Sequence, residues 1–262
     1  MPGLITLTTD FGLRDPFVGI MKGVLLSICP SARLVDLTHE IPPHDFFAAG
    51  LALESATAFF PAATVHLAVV DPGVGSARRA IAVSAGGGYL VGPDNGLFTF
   101  ALDGDGWTAV SLTAPEYRLA EVGGTFHGRD VFAPAAAYLA AGVPLERLGP
   151  VLTDPVRLRR PGCRLEDGAL VGEVLDVDRF GNLITSIPAA RLAEIPGAGS
   201  VMLELAGRRL RGPVTAYAEI GEGEPAFIEG STGRLEIFVR VGSARDLIGA
   251  ERGAIVRVRR AG

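Results

Sequence analysis

Three stretches of the sequence gather charged and polar residue types suited to binding or acting on a small ligand, and the first two directly follow apolar runs. Thr9-Asp10-Phe11-Gly12-Leu13-Arg14-Asp15 follows Leu4–Thr8, and Asp71-Pro72-Gly73-Val74-Gly75-Ser76-Ala77-Arg78-Arg79 follows Val65–Val70. Gly123-Gly124-Thr125-Phe126 leads into His127-Gly128-Arg129-Asp130. Ligands of open α/β sheets bind beyond the carboxyl ends of the strands, which is where these polar residues fall. His127 stands out among the four histidines because glycines flank it and leave the backbone open to a ligand. Two later stretches punctuate the second half: Asp178-Arg179-Phe180-Gly181-Asn182, and Glu229-Gly230-Ser231-Thr232-Gly233-Arg234-Leu235-Glu236. Phe180 and Tyr217 beside them read either as core residues or as platforms for a flat ring.

Each feature also has a plainer reading. An aspartate after a strand often caps a helix or makes a turn, and Asp-Pro-Gly is a turn sequence. The Arg78-Arg79 pair reads as a solvated face as far as Arg79 is concerned, and His39, His44 and His66 read as structural. Asp10, Asp15, Asp36, His39 and His127 hold metal-ligand chemistry, but no H-E-x-x-H spacing joins them, so no metal and no organic cofactor is expected.

Composition removes other classes. Lys22 is the only lysine and lies outside any G-x-x-x-x-G-K-[ST] loop, which excludes a P-loop nucleotidase. Neither a G-x-S-x-G elbow nor a G-x-G-x-x-G fingerprint is present. Cys29 and Cys163 are too far apart for C-x-x-C chemistry and fit a reducing compartment. The net charge of −5 and pI near 5.4 give no field for nucleic acid or an anionic membrane. The first residues lack a basic region followed by a long apolar run, so a cytoplasmic protein is expected.

The elements that must position these residues follow from periodicity. Short apolar runs alternate with helical patterns at Phe17–Ile28 and Phe46–Phe59, the βαβ signature of a mostly parallel sheet. Ile81–Ser84 and Tyr89–Gly92 read as a hairpin around Gly86-Gly87-Gly88, and Val131–Ala141 as a helix closed by Gly142. The 35 glycines and 18 prolines, about a fifth of 262 residues, exclude a helical bundle. Near residue 160 the texture changes to short strands at Leu170–Val177, Leu183–Ile187, Val201–Leu205, Ala226–Glu229, Leu235–Val239 and Ala254–Val258. The expectation is an α/β domain over 1–160 with a mostly parallel central sheet, then an all-β, antiparallel barrel-like domain over 161–262.

Six motifs taken in order, TTDFG at 8–12, VVDPGVG at 69–75, PDNG at 93–96, TFHGRD at 125–130, DRFGN at 178–182 and GSTGRLEI at 230–237, resemble one family. It is the S-adenosyl-L-methionine hydroxide adenosyltransferases, adenosine-forming hydrolases related to the fluorinating and chlorinating adenosyltransferases. The resemblance implies a homotrimer with each active site between the N-terminal domain of one subunit and the C-terminal domain of its neighbour. It also implies an Asp-Arg-His set that falls on Asp71, Arg78 and His127, the seven-residue step from the aspartate selecting Arg78 over Arg79. Asp10 matches the ribose carboxylate, and Phe180 and Tyr217 match the rings that enclose adenine. Asp178 and Asn182 match groups on the ligand's polar end, Ser231 and Glu236 its methionine end, and Val241 a backbone contact to the base. The halogenating relatives have one more residue between the aspartate and the asparagine of the 178–182 stretch. They also carry Tyr at the position of Asp71, Ser at that of Gly128 and, in the fluorinating enzymes, an insertion within Ser84–Gly92. A carboxylate there repels halide and accepts a hydrogen bond from water, which points to hydroxide chemistry. The resemblance assigns no role to Asp15, His44, Arg79, Arg129 or Asp130. The rival readings are a 5′-halogenating adenosyltransferase and a protein that binds the nucleoside without turning it over.

Overall fold

The computed structural model describes residues 3–197 and 199–261, and the chain divides into two units, Met1–Leu158 and Arg159–Gly262. In the first, β1 (Leu4–Thr9), α1 (Phe17–Ile28), β2 (Arg33–Thr38), α2 (Phe46–Thr57) and β3 (Val65–Val69) alternate. The hairpin β4 (Ala80–Ala85) and β5 (Gly88–Pro93), α3 (Thr99–Leu102), β6 (Thr108–Ser111), α4 (Ala133–Ala140) and β7 (Val151–Leu152) complete it. The sheet runs β2-β1-β3-β5-β4-β6-β7, parallel from β2 to β5 and antiparallel beyond.

Alternation along β3 sets the two faces of this sheet. Val65, Leu67 and Val69 pack with Met21 and Leu25 of α1 and with α4, whereas Ala68 and Val70 pack with Ala48 and Leu53 of α2. Because α1 and α2 lie on opposite faces, and β2 and β3 on opposite sides of β1, the carboxyl ends of β1 and β3 form the switch point where a doubly wound sheet takes its ligand. Asp10 directly follows β1, and Asp71 lies two residues beyond β3.

The second unit contains β8 (Arg164–Glu166), β9 (Ala169–Val177), β10 (Leu183–Pro188), β11 (Val201–Leu205), β12 (Arg208–Val214), β13 (Pro225–Glu229), β14 (Arg234–Val239), α5 (Ala244–Ile248) and β15 (Ile255–Arg260). Pairing of β9 with both β15 and β10 closes seven strands into a barrel, and β8 shares the β10 edge of β9. Leu170, Val174, Leu203, Phe227, Ile237 and Val258 fill it.

Three local expectations change. The β12–β13 pair is parallel, not antiparallel. β12 itself was not visible in the sequence, because its alternation rests on buried Leu210 between exposed Arg209 and Arg211. The helix expected over Val131–Ala141 is α-helical only from Ala133 and is preceded by a π-helical turn, Gly128–Phe132. Pro134 supplies the reason: it has no N–H for the Asp130 carbonyl and its ring would strike that oxygen, so the first turn opens. The freed Asp130 carbonyl accepts from the Leu119 N–H at 2.9 Å. Among the described residues no helix is long and apolar enough to cross a membrane.

Candidate active site

The structure joins Asp71, Arg78 and His127 directly. Arg78 Nε donates to Asp71 Oδ1 at 2.7 Å, and Arg78 Nη2 donates both to Asp71 Oδ2 and to His127 Nδ1, the latter at 2.8 Å. The ion pair is nearly dry, with side chains 10% and 5% exposed. A guanidinium only donates, so Nδ1 of His127 is an acceptor and the ring proton is assigned to Nε2. Burial, and then the Arg78 cation, push the imidazole below its ordinary pKa, while Asp71 and Asp130 pull the other way. His127 is therefore neutral, with its lone pair engaged and an N–H to offer.

Local structure explains how three residues so far apart in sequence meet. The loop after Asp71 folds on itself through Val74 N to Asp71 O (3.2 Å) and Ser76 Oγ to Gly73 O (2.6 Å), which returns Arg78 onto Asp71. Gly75 has φ of +76°, and a Cβ there would strike the Gly124 carbonyl oxygen, so the glycines let the loop touch the segment that carries His127. Arg78 lies over the ring of Phe132 at 5.1 Å, in the π-helical turn that begins just after His127. Asn95, from the PDNG motif, donates to the Val70 carbonyl at 2.9 Å and fixes the strand end before Asp71.

Asp10 accepts from the backbone N–H of His44 at 2.9 Å, and His44 adopts a left-handed φ of 69° to offer it. Asp15 is exposed. Beside this loop Phe11, Phe17 and Phe126 form an apolar wall with centroids 5.3–6.0 Å apart, a cluster that sequence reasoning missed. Arg129 lies over Phe126 at 5.5 Å and pairs with fully buried Asp130, whose Oδ2 also accepts from Gly123 N at 2.8 Å. These two residues hold the loop before His127.

Arg79 is not the solvated residue expected. Its guanidinium donates to Asp94 Oδ2 at 2.7 Å and to Asp154 Oδ1 at 2.8 Å, and Asp94 Oδ1 accepts from Val156 N at 2.8 Å. Arg118 also escaped notice: it donates to the Leu112 carbonyl, its buried Nε has no partner among the described residues, and its charge adds to the field on His127. The five residues of the metal reading do not converge. His39 and Asp36 pair with each other at 3.1 Å, and among the described residues no group of three or more His, Cys, Asp or Glu is placed to hold a metal ion.

In the second unit Phe180 and Tyr217 are not core residues, being 75% and 48% exposed. Asp178 shapes the Phe180 turn, accepting from Phe180 N at 2.8 Å and Asn182 N at 2.9 Å on one oxygen and from Asn182 Nδ2 at 2.9 Å on the other. Tyr217 donates its hydroxyl to Glu236 Oε1 at 2.8 Å and stands edge-on to Phe238 at 4.6 Å. Burial, the bond to Glu236 and the charges of Glu236 and Asp178 push the phenol up to about 12. Burial and then Asp178 raise the Glu236 carboxyl against the opposing Tyr217 bond. Ser231 is exposed, and Val241 is exposed with a left-handed φ of 56°.

Comparison with known proteins gives the same two units. Residues 5–149 match the SAM hydroxide adenosyltransferase N-terminal domain, and residues 172–257 match the corresponding C-terminal domain. The chain is 44% identical over 258 residues to an (R)-S-adenosyl-L-methionine hydrolase of Salinispora tropica, with 97% of each chain covered. It is 46% identical over 259 residues to a protein of the same name from Thermus thermophilus, covering 95% of this chain and 97% of that one. A fluorinase of Actinoplanes is more distant, at 31% over 212 residues, with 70% and 71% covered. A crystal structure of an uncharacterized conserved protein from Thermotoga maritima superposes with a TM-score of 0.90 at 35% identity, covering 98% of this chain and 100% of that one.

Proposed function

The chain belongs to the SAM hydroxide adenosyltransferase family, and from that premise we propose that it hydrolyses S-adenosyl-L-methionine to adenosine and L-methionine. The observation that carries this reading is the dry Asp71 carboxylate clamped by Arg78 beside His127. An anion at that place disfavours a halide nucleophile and favours water.

Water attacks the ribose C5′ in line with the sulfonium. The new C–O bond forms as the C5′–S bond breaks, and the electron pair leaves on sulfur as a neutral thioether. The leaving group needs no acid and no Lewis acid, so the site's task is to hold and strip a water. His127 offers Nε2–H to the water oxygen, its Nδ1 lone pair being engaged by Arg78. The Asp71 carboxylate accepts the water's hydrogen bond and then its proton. Arg78 ties both partners together through its hydrogen bonds.

Asp10 binds the ribose hydroxyls, and the exposed rings of Phe180 and Tyr217 take the adenine. Asn182 meets the polar end of the substrate, with Asp178 acting there through the turn it organises. Ser231 and Glu236 serve the methionine end, and the backbone of Val241 contacts the base. The enzyme works as a homotrimer in which one subunit's reactive trio is used with its neighbour's aromatic residues, and a fully active monomer in sedimentation would overturn that. Both cysteines are free, which supports a reducing cytoplasm. Exhaustive chelation leaves the rate unchanged in a metal-free reaction; loss restored by one divalent ion would refute it.

The test of the function is chromatography of S-adenosyl-L-methionine incubated with the protein. Adenosine and methionine in equal amounts are expected. A 5′-halo-adenosine formed in chloride or fluoride assigns the halogenating branch instead, and tight binding without product makes the protein a binder.

A further inference from the structure

At the end of the sheet away from Asp71, the first unit has a cavity of about 490 Å³ between the segment after α2, the Gly86–Gly88 turn and α3. Phe60, Pro61, Ala62, Leu90 and Phe100 give it apolar walls, and the glycine turn adds flat backbone without side chains. Its inner polar group is His66, which is only 4% exposed. His66 is the β3 partner of Thr6 in β1, five residues before Asp71, and so lies on the order of 16 Å from it along an extended strand.

The hydrogen bonds of His66 fix what it offers. Nδ1 lies 2.9 Å from Thr6 Oγ1, and Thr6 is fully buried. The threonine hydroxyl hydrogen has no other partner among the described residues, so it goes to Nδ1, and the ring carries its own proton on Nε2. Nε2 has no hydrogen-bond partner among the described residues and lies on the side of the ring that faces Gly88 in the cavity wall, where a Cβ on that glycine would come within 3.8 Å. Burial pushes His66 down to about 4, so the ring is neutral near neutral pH. Among the described residues no lysine or arginine lines the cavity and exposed Asp105 does, which disfavours an anion.

We propose that this cavity is a second ligand site, which takes a small uncharged planar molecule whose acceptor atom receives the Nε2–H of His66. An unpaired donor that opens into a largely apolar pocket favours such a ligand over a pure hydrocarbon, because only the former satisfies the N–H. The phenyl rings and glycine backbone match a flat partner, and the Phe60 ring already meets His66 edge-on at 5.6 Å.

The test uses the full chain with two probes of one shape, quinoline with an acceptor nitrogen and naphthalene without one. Quinoline binds saturably and shifts the His66 Nε2 resonance of nitrogen-15-labelled protein. Naphthalene binds about three- to tenfold more weakly, the worth of one neutral hydrogen bond. His66→Phe brings quinoline down to the naphthalene level. Ala62→Trp, at an exposed position whose Cβ faces Gly87, fills the cavity and abolishes binding of both. Equal affinity of the two probes for the natural protein, quinoline binding that survives Ala62→Trp, or no saturable binding would each overturn the site. If His66→Phe does not fold, the probe pair and Ala62→Trp still decide. None of these readouts depends on adenosine release.

Discussion

The two units carry opposite kinds of polar chemistry. In the first, Asp71, Arg78 and His127 are bonded to one another, with the Asp71–Arg78 pair withdrawn from water, and are held by loops whose glycines and turns leave little freedom. In the second, Phe180 and Tyr217 stand in solvent while Asp178 and Glu236 brace them from beneath. A group that must act on a reacting atom is costly to misplace by even an ångström, so the chain builds it in advance. On the proposed reading Phe180 and Tyr217 stack on a base, a task that needs only a face and a fixed pitch and tolerates exposure until the ligand arrives.

The contrast breaks most decisively if the trio can be dismantled without loss of rate. His127→Ala and Asp71→Asn are each expected to lower kcat by about 10²–10⁴ with little change in KM. The double variant should be scarcely worse than the worse single one, since the residues serve one step. Asp71→Asn leaves Arg78 buried and unpaired, so circular dichroism must accompany the kinetics. Near-natural rates from both folded variants would shift the chemistry to Arg129 and Asp130.

Acid should also distinguish the units. His66 is held at about 4 by burial, whereas the unfolded chain titrates near 6.5, so the unfolded state takes up the proton first. The stability this confers is complete above pH 6.5 and is lost as pH falls toward 4. Urea midpoints should therefore show the natural protein losing up to about 3 kcal/mol more than His66→Gln across that window. Equal losses would mean that His66 is not a dry neutral ring.

On the aromatic side, Phe180→Ala and Tyr217→Ala should each weaken substrate binding by about five- to a hundredfold, the usual worth of a stacked base. Their kcat at saturation should stay within a few-fold of natural, and a collapse of kcat with KM unchanged would erase the division of labour. The smallest effect is expected from Tyr217→Phe, which keeps the ring and removes only its bond to Glu236. Calorimetry should show an affinity loss of about two- to tenfold.

Much of this was legible before the structure. The strand ends at Asp10 and Asp71 were visible because apolar runs stop abruptly at charged loops, and β1, α1 and β11 follow their hydrophobic patterns closely. The second-unit aromatics drew notice only through neighbouring turns, since exposure leaves no periodic trace. Three things stayed hidden for definable reasons. The π-helical turn depends on one proline within an otherwise helical pattern. The role of Arg79 depends on Asp154, 75 residues away, a separation that no local pattern spans. The cavity around His66 depends on a cross-strand partner, Thr6, that only the register reveals.

The Arg79 clamp has a consequence for how the chain is made. Asp94 is almost wholly enclosed, yet one of its oxygens waits for the Val156 N–H and its cation partner waits for Asp154. Leu158 then donates its N–H to Thr99 Oγ1 at 2.9 Å and packs where Gly96 has no side chain. During synthesis the first unit therefore has six of its seven strands and both helical layers by Pro150 but cannot close the clamp on Asp94 until residues 154–158 leave the ribosome. A recombinant N-terminal piece cut at residue 149, where the family match ends, would carry Asp94 with its pocket unclosed. Cut after Leu158, it would hold every bond of the clamp.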